Sequence, residues 1–469
     1  MVLKQFYLGC LSQASYLIAD EASKTAVLVD PRRDVDIYVE EAKQLGVTIK
    51  HVLLTHFHAD FVSGHLELRK ATGADIRMGA KASPEYPFTA MNDGDVLKMG
   101  SISIQALETP GHTPESVCYL VYEGDPASTV PHAILTGDTL FIGDVGRPDL
   151  MASSGMSAET LAGKLYDSLR NKILTLPDSV IIYPGHGAGS MCGKNLSSET
   201  SSPLGVQRKF NMMLDSHLGR EEFIRLVTAD QPVAPAYFGY DAWYNRQERV
   251  TLDENLDRVL VPLGISDVLK LEKDGAQLLD VRDPFGFAKR HILGSINIGL
   301  EGQFATWAGT LLDRERPLVI LAAPGKEHEA AIRLGRIGFD RVLGFLKGGP
   351  EAADVPAELI RSVGRVEAGE LQKRLEGKNA PVVLDVRNPR EREMKQIAST
   401  MFIPLGELSS RMSEVPQGQK IVVHCAGGYR SSMAASMLRA KGYKDVEDLI
   451  GGIGAWEKAG LPVHAEATV

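Results

Sequence analysis

A short segment near the N-terminus carries two histidines and an aspartate at close spacing. His56, His58 and Asp60 come directly after an apolar run that is typical of a buried strand. Imidazole nitrogens and carboxylate oxygens are ligands for divalent metal ions. If this segment begins a metal site, other strand ends in the N-terminal half should supply further ligands. They do so at His112, Asp138 and His186.

Each candidate ligand lies in a turn that follows a predicted strand. The turns span residues 55–60, 109–113, 135–139 and 183–187. The last three place a glycine next to the ligand, which lets the backbone turn sharply so that the side chain points into a common cleft. One such histidine alone would more often be structural. Because four such turns recur in order, we predict a metal site.

A cysteine near the C-terminus is the second candidate reactive group. Cys425 follows an apolar strand, and Arg430 ends the six-residue loop that begins at the cysteine, before a predicted helix at residues 431–441. Loop N–H groups, the helix N-terminus and the guanidinium group of Arg430 are expected to face the sulfur, where they would stabilise a thiolate or an anionic persulfide. We predict that Cys425 is a nucleophile. The remaining loop residues, predicted to bind substrate, are Ala426, Gly427, Gly428 and Tyr429.

The surrounding pattern predicts an α/β protein. In the first 250 residues, strands outnumber helices, which favours a sheet sandwich flanked by helices. An aromatic and proline-rich segment at residues 232–244 is expected to cover the first domain or pack it against the next. Predicted strands cover residues 14–19, 26–30, 51–55, 102–107, 116–122, 133–136 and 180–183, and predicted helices cover residues 35–45, 65–72, 158–173, 206–214 and 220–229.

The C-terminal half contains an internal repeat. Residues 278–284 and 383–389 match at five of seven positions around an Asp-Val-Arg turn, and later segments keep nearly the same offset. Two copies of one α/β domain are therefore predicted. In the first copy Leu321 is expected at the position of Cys425, so that copy should be catalytically silent, with a packing or docking role.

The amino-acid composition limits which binding partners and which cellular location are expected. The chain has 469 residues, 44% hydrophobic and 24% charged, with a net charge of −9. It offers no basic face for nucleic acid or an anionic membrane. Without a recognisable signal peptide or membrane-spanning run, the expected location is cytoplasmic. Four scattered cysteines favour thiol chemistry over a disulfide framework. The oligomeric state, including a homo-oligomer, is left open.

The N-terminal half resembles the metallo-β-lactamase fold, an αββα sandwich. The family's His-x-His-x-Asp-His loop, downstream histidine, bridging aspartate and final histidine match at the six ligand candidates, but Phe61 stands where the loop carries its last histidine. Phenylalanine has no lone pair to donate, so the second metal position loses a ligand. A hydrolase with two metal ions becomes less favoured.

The departure at Phe61 is compatible with a resemblance to persulfide dioxygenases, in which one iron is held by two histidines and an aspartate. The resemblance implies one Fe(II) per chain at His56, His112 and Asp138, with zinc as the alternative ion. His58 would be a near neighbour, while Asp60 and His186 would keep a weak second site.

Two further segments are similar to persulfide dioxygenases. In residues 143–149, Arg147 would help to place an anionic substrate; a surface salt bridge is the alternative. In the glycine-rich residues 185–194, Cys192 would lie near the metal and hold or receive sulfane sulfur, with Lys194 favouring its thiolate. The alternative for Cys192 is a packed, inert thiol.

Both repeats resemble rhodanese domains over essentially their full length. The expected domains are residues 1–250 with the metallo-β-lactamase fold, residues 251–358 as a silent rhodanese and residues 359–469 as an active one. The combination implies that O₂ oxidises the persulfide of glutathione, CoA or bacillithiol to sulfite. This oxidation would be coupled to sulfur transfer through Cys425, with thiosulfate as a further product. The alternatives are a glyoxalase II-like thioester hydrolase with accessory rhodanese domains and a sulfur-relay protein.

Overall fold

A computed structural model describes residues 1–150, 155–231 and 234–465. The chain forms two compact units. The first consists of residues 1–254 together with residues 335–338, and the second contains the rest of the chain. No helix among the described residues is long and apolar enough to cross a membrane.

Two six-stranded sheets form the frame of the first unit. The first sheet runs in chain order from β1 to β6, and the second has the order β12-β11-β10-β9-β8-β7. The strands are β1 (Val2–Leu8), β2 (Gln13–Asp20), β3 (Thr25–Val29), β4 (Thr48–Leu53), β5 (Asp75–Gly79), β6 (Thr89–Met91), β7 (Val96–Met99), β8 (Ile102–Glu108), β9 (Val117–Glu123), β10 (Ala133–Gly137), β11 (Ile181–Pro184) and β12 (Ser202–Pro203).

Helices cover the outer faces of these sheets. α1 and α2 pack on the first sheet through one apolar cluster, and α3 and α5 pack on the second through another. A third cluster, to which Tyr16 of β2 and Tyr119 of β9 both belong, lies between the sheets. The helices are α1 (Asp36–Gln44), α2 (His65–Thr72), α3 (Ala158–Asn171), α4 (Leu204–Phe210), α5 (Arg220–Thr228), α6 (Phe238–Tyr244) and α7 (Leu252–Val259). The predicted αββα sandwich is confirmed.

The second unit repeats one parallel five-stranded design. The first copy has the sheet order β13-β18-β17-β14-β16, the second has β20-β24-β23-β21-β22, and β15 and β19 form a small antiparallel pair. The strands are β13 (Pro262–Leu263), β14 (Gln277–Asp280), β15 (His291–Ile292), β16 (Ile296–Asn297), β17 (Leu318–Leu321), β18 (Val342–Leu346), β19 (Ile360–Arg361), β20 (Gly364–Val366), β21 (Val382–Asp385), β22 (Met401–Phe402), β23 (Ile421–His424) and β24 (Val446–Leu449).

Each repeat encloses its own apolar core between sheet and helices, as parallel sheets require. The helices are α8 (Ile265–Lys273), α9 (Pro284–Lys289), α10 (Phe304–Leu311), α11 (Glu327–Gly335), α12 (Ala368–Leu375), α13 (Pro389–Met394), α14 (Leu408–Arg411), α15 (Tyr429–Ala440) and α16 (Gly452–Lys458). The predicted domain borders near residues 250 and 358 stay predictions, because the contact pattern does not separate the two repeats.

The strands and helices predicted in the first half are present, with ends that differ by at most three residues, except that the helix predicted at residues 206–214 already ends at Phe210. Strands β1, β5, β6, β7 and β12 were missed. β6 and β12 are only three and two residues long, and each of the other three includes at least one charged residue among its apolar ones. The proline-rich segment at 232–244 contains α6, and its residues 232–233 lie outside the described residues.

Candidate metal centre and cysteine loop

Three of the predicted ligands converge at the ends of the two sheets in the first unit. His56 follows β4, His112 lies between β8 and β9, and Asp138 follows β10. One ligand atom from each lies within 4.8 Å of the other two, and all three residues are buried. Nε2 of His112 is 3.6 Å from Oδ2 of Asp138, and Nε2 of His56 is 4.0 Å from the same oxygen. The three side chains are therefore placed so that they could bind one metal ion together.

Second partners orient each of these side chains. Nδ1 of His112 lies 2.8 Å from the carbonyl oxygen of Arg147, to which it donates as the N–H tautomer. Nδ1 of His56 is 3.0 Å from Oγ1 of Thr55, which in turn donates to Asp30. Holding Nδ1 in this way leaves Nε2 of both rings directed at the centre, an arrangement seen at metal-binding histidines.

The unpaired atoms fit a bound cation. Nε2 of His56 and Oδ2 of Asp138 are buried and have no hydrogen-bond partner among the described residues. Burial, followed by the proximity of His58, lowers the pKa of His56 well below its usual value, so its imidazole is neutral. Burial alone would raise the pKa of Asp138, but His186 lowers it well below the usual value. Two imidazoles and one carboxylate are suitable ligands for a divalent ion.

His58 is a neighbour of this centre, outside the cluster of three. Its ring lies 4.1 Å from that of His56 and 4.4 Å from that of Phe61, between centroids. Its Nε2 is 3.1 Å from Oδ1 of Asp30. Phe61 is completely buried. A phenyl ring therefore occupies the space beside His58 where the family's loop would bring another imidazole.

Asp60, His186 and Cys192 form a second buried cluster, with ligand atoms within 4.8 Å of one another. His186 bridges two carboxylates: Nδ1 lies 2.8 Å from Asp138 and Nε2 lies 2.8 Å from Asp60. Burial alone would lower the pKa of His186, but these two carboxylates raise it well above its usual value. An imidazolium ion holds the two carboxylates together in this arrangement.

The Cys192 loop is attached to the metal centre through Arg147. The Arg147 N–H donates to the Cys192 carbonyl at 3.1 Å, and its guanidinium group bonds the Met191 carbonyl at 3.1 Å and both Asp149 oxygens at 2.7 Å. Arg147 forms the salt bridge that the alternative expected, with Asp149, but the arginine is only 1% exposed and so does not itself lie on the surface. Its predicted contact with an anionic substrate stays a prediction.

The expectation that Lys194 favours a Cys192 thiolate is wrong. The Lys194 ammonium donates to the carbonyl oxygens of Leu226 and Ala229, at the C-terminal end of α5. Burial and the Asp138 and Asp60 carboxylates instead raise the pKa of Cys192 well above its usual value. The predicted sulfur-holding role of Cys192 stays a prediction.

The second repeat brings donors to the sulfur of Cys425. The N–H of Gly428 lies 3.1 Å from Sγ, and Oγ of Ser431 lies 3.5 Å from it. Gly428 has φ 108°, a conformation that favours glycine. The carbonyls of Cys425 and Ala426 accept from Ile453 and Gly454, at 2.8 and 3.1 Å. Gly427, which follows Ala426 in the loop, is exposed.

Two other loop residues have partners outside the loop. The Arg430 guanidinium does not hydrogen-bond the sulfur as expected; it makes a forked ion pair with Glu391 at 2.6 and 2.7 Å. The Tyr429 hydroxyl donates to the Gly299 carbonyl of the first repeat at 2.8 Å. The first repeat thus contacts the cysteine loop directly.

The residue that replaces the cysteine in the first repeat is Ala322, and its assignment to Leu321 is wrong. Asp280 pairs with Leu321, whereas Asp385, the matching aspartate of the second repeat, pairs with His424. Leu321 therefore corresponds to His424, and the next residue, Ala322, corresponds to Cys425. The first repeat still lacks a nucleophilic cysteine at this position.

Several site residues were missed by the sequence reasoning. Asn245, just after α6, donates to the carbonyls of His58 and Phe61 and accepts from the Ser63 N–H, all at 2.8 Å. Asp30 and Asn245 lie far in sequence from the metal loop, so spacing could not find them. Ser431, next to Arg430, could have been noticed as a hydroxyl at a helix start. Glu391, which pairs with Arg430, also could not be identified from the sequence.

Family models match both halves of the chain. The model described as the metallo-beta-lactamase superfamily matches residues 8–186, and the rhodanese-like domain model matches residues 266–353 and 367–459. A probable polyketide biosynthesis zinc-dependent hydrolase, BaeB of Bacillus velezensis, is 31% identical over 192 residues, which cover 40% of this chain and 78% of the relative.

Two further relatives bear on the function. Human persulfide dioxygenase ETHE1 is 28% identical over 232 residues, covering 48% of this chain and 80% of the relative. A crystal structure of a metallo-beta-lactamase from Staphylococcus aureus is similar at a TM-score of 0.65 and 30% identity, covering 73% of this chain and 98% of that chain. The last similarity extends beyond the first unit, since it covers more residues than that unit contains.

Proposed function

We propose that this chain, which belongs to the metallo-beta-lactamase superfamily and carries two rhodanese-like domains, oxidises a low-molecular-weight thiol persulfide with O₂. The products are sulfite and the free thiol. The second repeat transfers sulfane sulfur through Cys425. Glutathione, CoA and bacillithiol persulfides are the candidate substrates, and the persulfide dioxygenase relative supports this substrate class.

One observation carries the proposal: a centre of two imidazoles and one carboxylate, beside a buried phenyl ring. Ligand atoms of His56, His112 and Asp138 lie close enough together to bind one ion, while the buried Phe61 supplies no ligand for a second ion. Such a set with open positions is typical of non-haem Fe(II) enzymes that use O₂. An Fe(II) ion held by these residues would supply the oxygen chemistry.

Neighbouring residues fix the tautomers of the two histidines and the orientation of the aspartate at this centre. Arg147 and Thr55 fix the Nδ1 atoms of His112 and His56, so each ring can bind only through Nε2. His186 holds the far oxygen of Asp138 and leaves Oδ2 for binding. Ligands of this kind lose affinity when their partners are removed, commonly about tenfold to a hundredfold.

The overall oxidation balances without a further reductant. One persulfide, one O₂ and one water give one thiol, one sulfite and two protons; the outer sulfur is oxidised and O₂ is reduced. In the sulfur-transfer step, sulfite attacks the outer sulfur of a Cys425 persulfide, the S–S bond breaks, and thiosulfate leaves with the Cys425 thiolate restored. The Gly428 N–H, 3.1 Å from Sγ, favours that thiolate.

Thioester hydrolysis is the second candidate, and the Asp60, His186 and Cys192 cluster favours it. A thiolate at Cys192 could replace the imidazole that Phe61 withholds, and a second ion bound there would permit a two-metal hydrolase. The relative named as a zinc-dependent hydrolase supports this candidate. Metal content separates the two: one iron accompanies oxidation, and two zinc ions accompany hydrolysis.

Protein purified without oxygen and loaded with iron tests the proposal. With glutathione persulfide, we expect O₂ consumption and sulfite formation by the wild type and by Cys425→Ser, and neither by His112→Ala. Sulfur transfer from thiosulfate should show the opposite pattern, lost in Cys425→Ser and kept in His112→Ala. If both variants lose both activities, the two sites do not act as assigned.

A further inference from the structure

The first repeat contains a cavity of about 370 Å³ beside the residue that replaces the cysteine. Ala322, the counterpart of Cys425, lines this cavity together with the apolar residues Leu300, Pro324 and Pro350. Sites for small molecules in proteins usually have volumes of about 300–1,000 Å³. The cavity is therefore large enough for a small ligand, and the proposed chemistry makes no use of it.

The first repeat keeps the shape of the loop although its side chains differ. A glycine approaches the carbonyl oxygen of Ala322 so closely that a Cβ atom would clash, as another glycine does at Cys425 in the second repeat. Gly325 has φ 87°, close to the 108° of Gly428. The Gly325 N–H donates to the Glu327 carboxylate at 2.8 Å, so it is already occupied. A ligand of the cavity must therefore be bound by other groups.

A buried guanidinium group supplies a donor for such a ligand. Arg282 lines the cavity and is 7% exposed. Its Nε and Nη2 bind Asp280, but Nη1 has no hydrogen-bond partner within the part of the chain that is described. In the second repeat, Nη1 of the equivalent Arg387 donates to the Glu391 carbonyl at 3.1 Å. An unbonded buried donor is costly, and a ligand that presents an acceptor would satisfy it.

The group next to this donor indicates that the acceptor is anionic. Oε1 of Glu351 lies 3.5 Å from Nη1 of Arg282, and the Glu351 side chain is 70% exposed. The cavity thus already accommodates a carboxylate in front of the guanidinium group. Because such an exposed ion pair contributes little to stability, the carboxylate of a ligand can replace that of Glu351.

The other charges around the cavity favour a ligand that also carries a positive charge. Lys326 and Arg333 line the cavity, but both pair with Glu329, at 2.9 and 2.6 Å. Glu301 and Glu351 lie on its exposed side. Two carboxylates at this place attract an ammonium group and repel a ligand with several negative charges. The cavity therefore suits a zwitterion.

We propose that the cavity of the first repeat binds a small, amino-acid-like thiol, with the carboxylate of the ligand at Arg282 and its ammonium group at Glu301 and Glu351. The inference rests on the proposed function for the class of ligand, a low-molecular-weight thiol. Glutathione and bacillithiol carry both groups. CoA carries several phosphate charges and no ammonium group, so the site distinguishes between the candidate thiols.

One segment of the first repeat, residues 299–302, connects the cavity to the active repeat. Leu300 and Glu301 of this segment line the cavity. Tyr429 of the cysteine loop packs against the two glycines that flank them, and its hydroxyl group donates to the Gly299 carbonyl at 2.8 Å. A thiol bound in the cavity would therefore contact a segment that also contacts the loop of the sulfur carrier.

Hydrogen exchange of the full-length chain, followed by mass spectrometry, tests the inference with S-methylglutathione as the probe. The methylated sulfur cannot react with Cys425, so the signal needs no sulfur transfer. We expect the probe to slow the exchange of backbone N–H groups severalfold in peptides that contain residues 299–302 and 322–326. CoA at the same concentration should leave these peptides unchanged. Exchange in residues 1–250 reports binding at the metal centre separately.

Two variants and one control locate the binding. Glu301→Gln removes one charge-assisted contact, so the probe concentration for half-maximal protection should rise about tenfold. Gly286→Glu adds, in the first turn of α9, a side chain that would occupy the cavity, and it should abolish protection. Glu315→Gln, at an exposed glutamate outside the cavity lining, is the matched control and should keep the wild-type midpoint.

Three results would overturn the inference. They are no protection of either segment in the wild type, equal protection by CoA, and a wild-type midpoint in either folded cavity variant. Protection by S-methylglutathione in a protein that neither takes up oxygen nor transfers sulfur would show that the proposed function fails while the binding site stands.

Discussion

Phe61 offers a direct test of why this chain would hold one ion rather than two. The Phe61→His substitution places an imidazole directly after Asp60 in the chain and next to the His58 ring, where the family's loop carries its last histidine. Phe61 is completely buried and packs against His58. Loss of apolar burial and the introduction of a polar ring should lower the free energy of unfolding of the metal-free protein by about 2–4 kcal/mol.

Added metal should then stabilise the variant more than the wild type. A single site at a free-ion concentration a hundredfold above its Kd contributes about 2.7 kcal/mol, so one site gives that gain and two sites give roughly twice as much. Urea unfolding with chelator and with zinc measures the gain, and elemental analysis counts the ions. Phe61→Leu is the matched control because it supplies no ligand. If Phe61→His gains no more than Phe61→Leu and still binds one ion, the assignment of Phe61 as the residue that withholds the second site is refuted.

Three further predictions concern other residues. Asp30→Asn should weaken metal binding about tenfold to a hundredfold, since Asp30 accepts the hydrogen bond of the Thr55 hydroxyl that orients His56. Competition with a chelator measures the metal affinity, and an unchanged affinity would contradict the prediction. Burial lowers the pKa of His424 to about 4. Between pH 6.5 and 4 the unfolded chain therefore binds a proton that the folded chain does not. The free energy of unfolding should then fall by about 1.4 kcal/mol for each pH unit as the pH drops through this range. His424→Leu, with the residue found at this position in the first repeat, should remove that part of the acid sensitivity in urea unfolding at pH 5 and 7, and an unchanged difference would count against it. Asn297→Ala should slow sulfur transfer and lower the free energy of unfolding by about 1–3 kcal/mol. The Asn297 side chain accepts a hydrogen bond from Ser432 at 2.7 Å and so holds α15, the helix that follows the cysteine loop. Transfer at the wild-type rate would show that the first repeat does not support the cysteine loop through Asn297.

The candidate metal ligands and the candidate nucleophile Cys425 could be found in the sequence because their signals are local. His112, Asp138 and His186 each follow a strand and a glycine, and a turn of that kind is visible in a few consecutive residues. The sandwich could be predicted from the same strands. Asp30 and Asn245 could not, since they reach the metal loop through tertiary hydrogen bonds that no spacing rule encodes.

The errors have equally specific causes. Leu321 was assigned in place of Ala322 because the offset between the repeats is 105 residues at the aspartates and 103 at the cysteine loop, and only strand pairing fixes the register. Lys194 and Arg430 were placed by proximity in sequence. Both are long side chains whose direction is decided by the strongest partner nearby, the end of α5 for one and Glu391 for the other.

The central claim is that a single metal centre of two histidines and one aspartate oxidises a persulfide. Oxygen uptake with glutathione persulfide, recorded alongside the metal content of the same anaerobically prepared sample, tests it most directly. We expect uptake in proportion to iron, approaching one iron ion per chain, with sulfite as the product. Oxygen-independent thioester hydrolysis that rises with two zinc ions per chain, and no oxygen uptake by the iron-loaded protein, would contradict the claim.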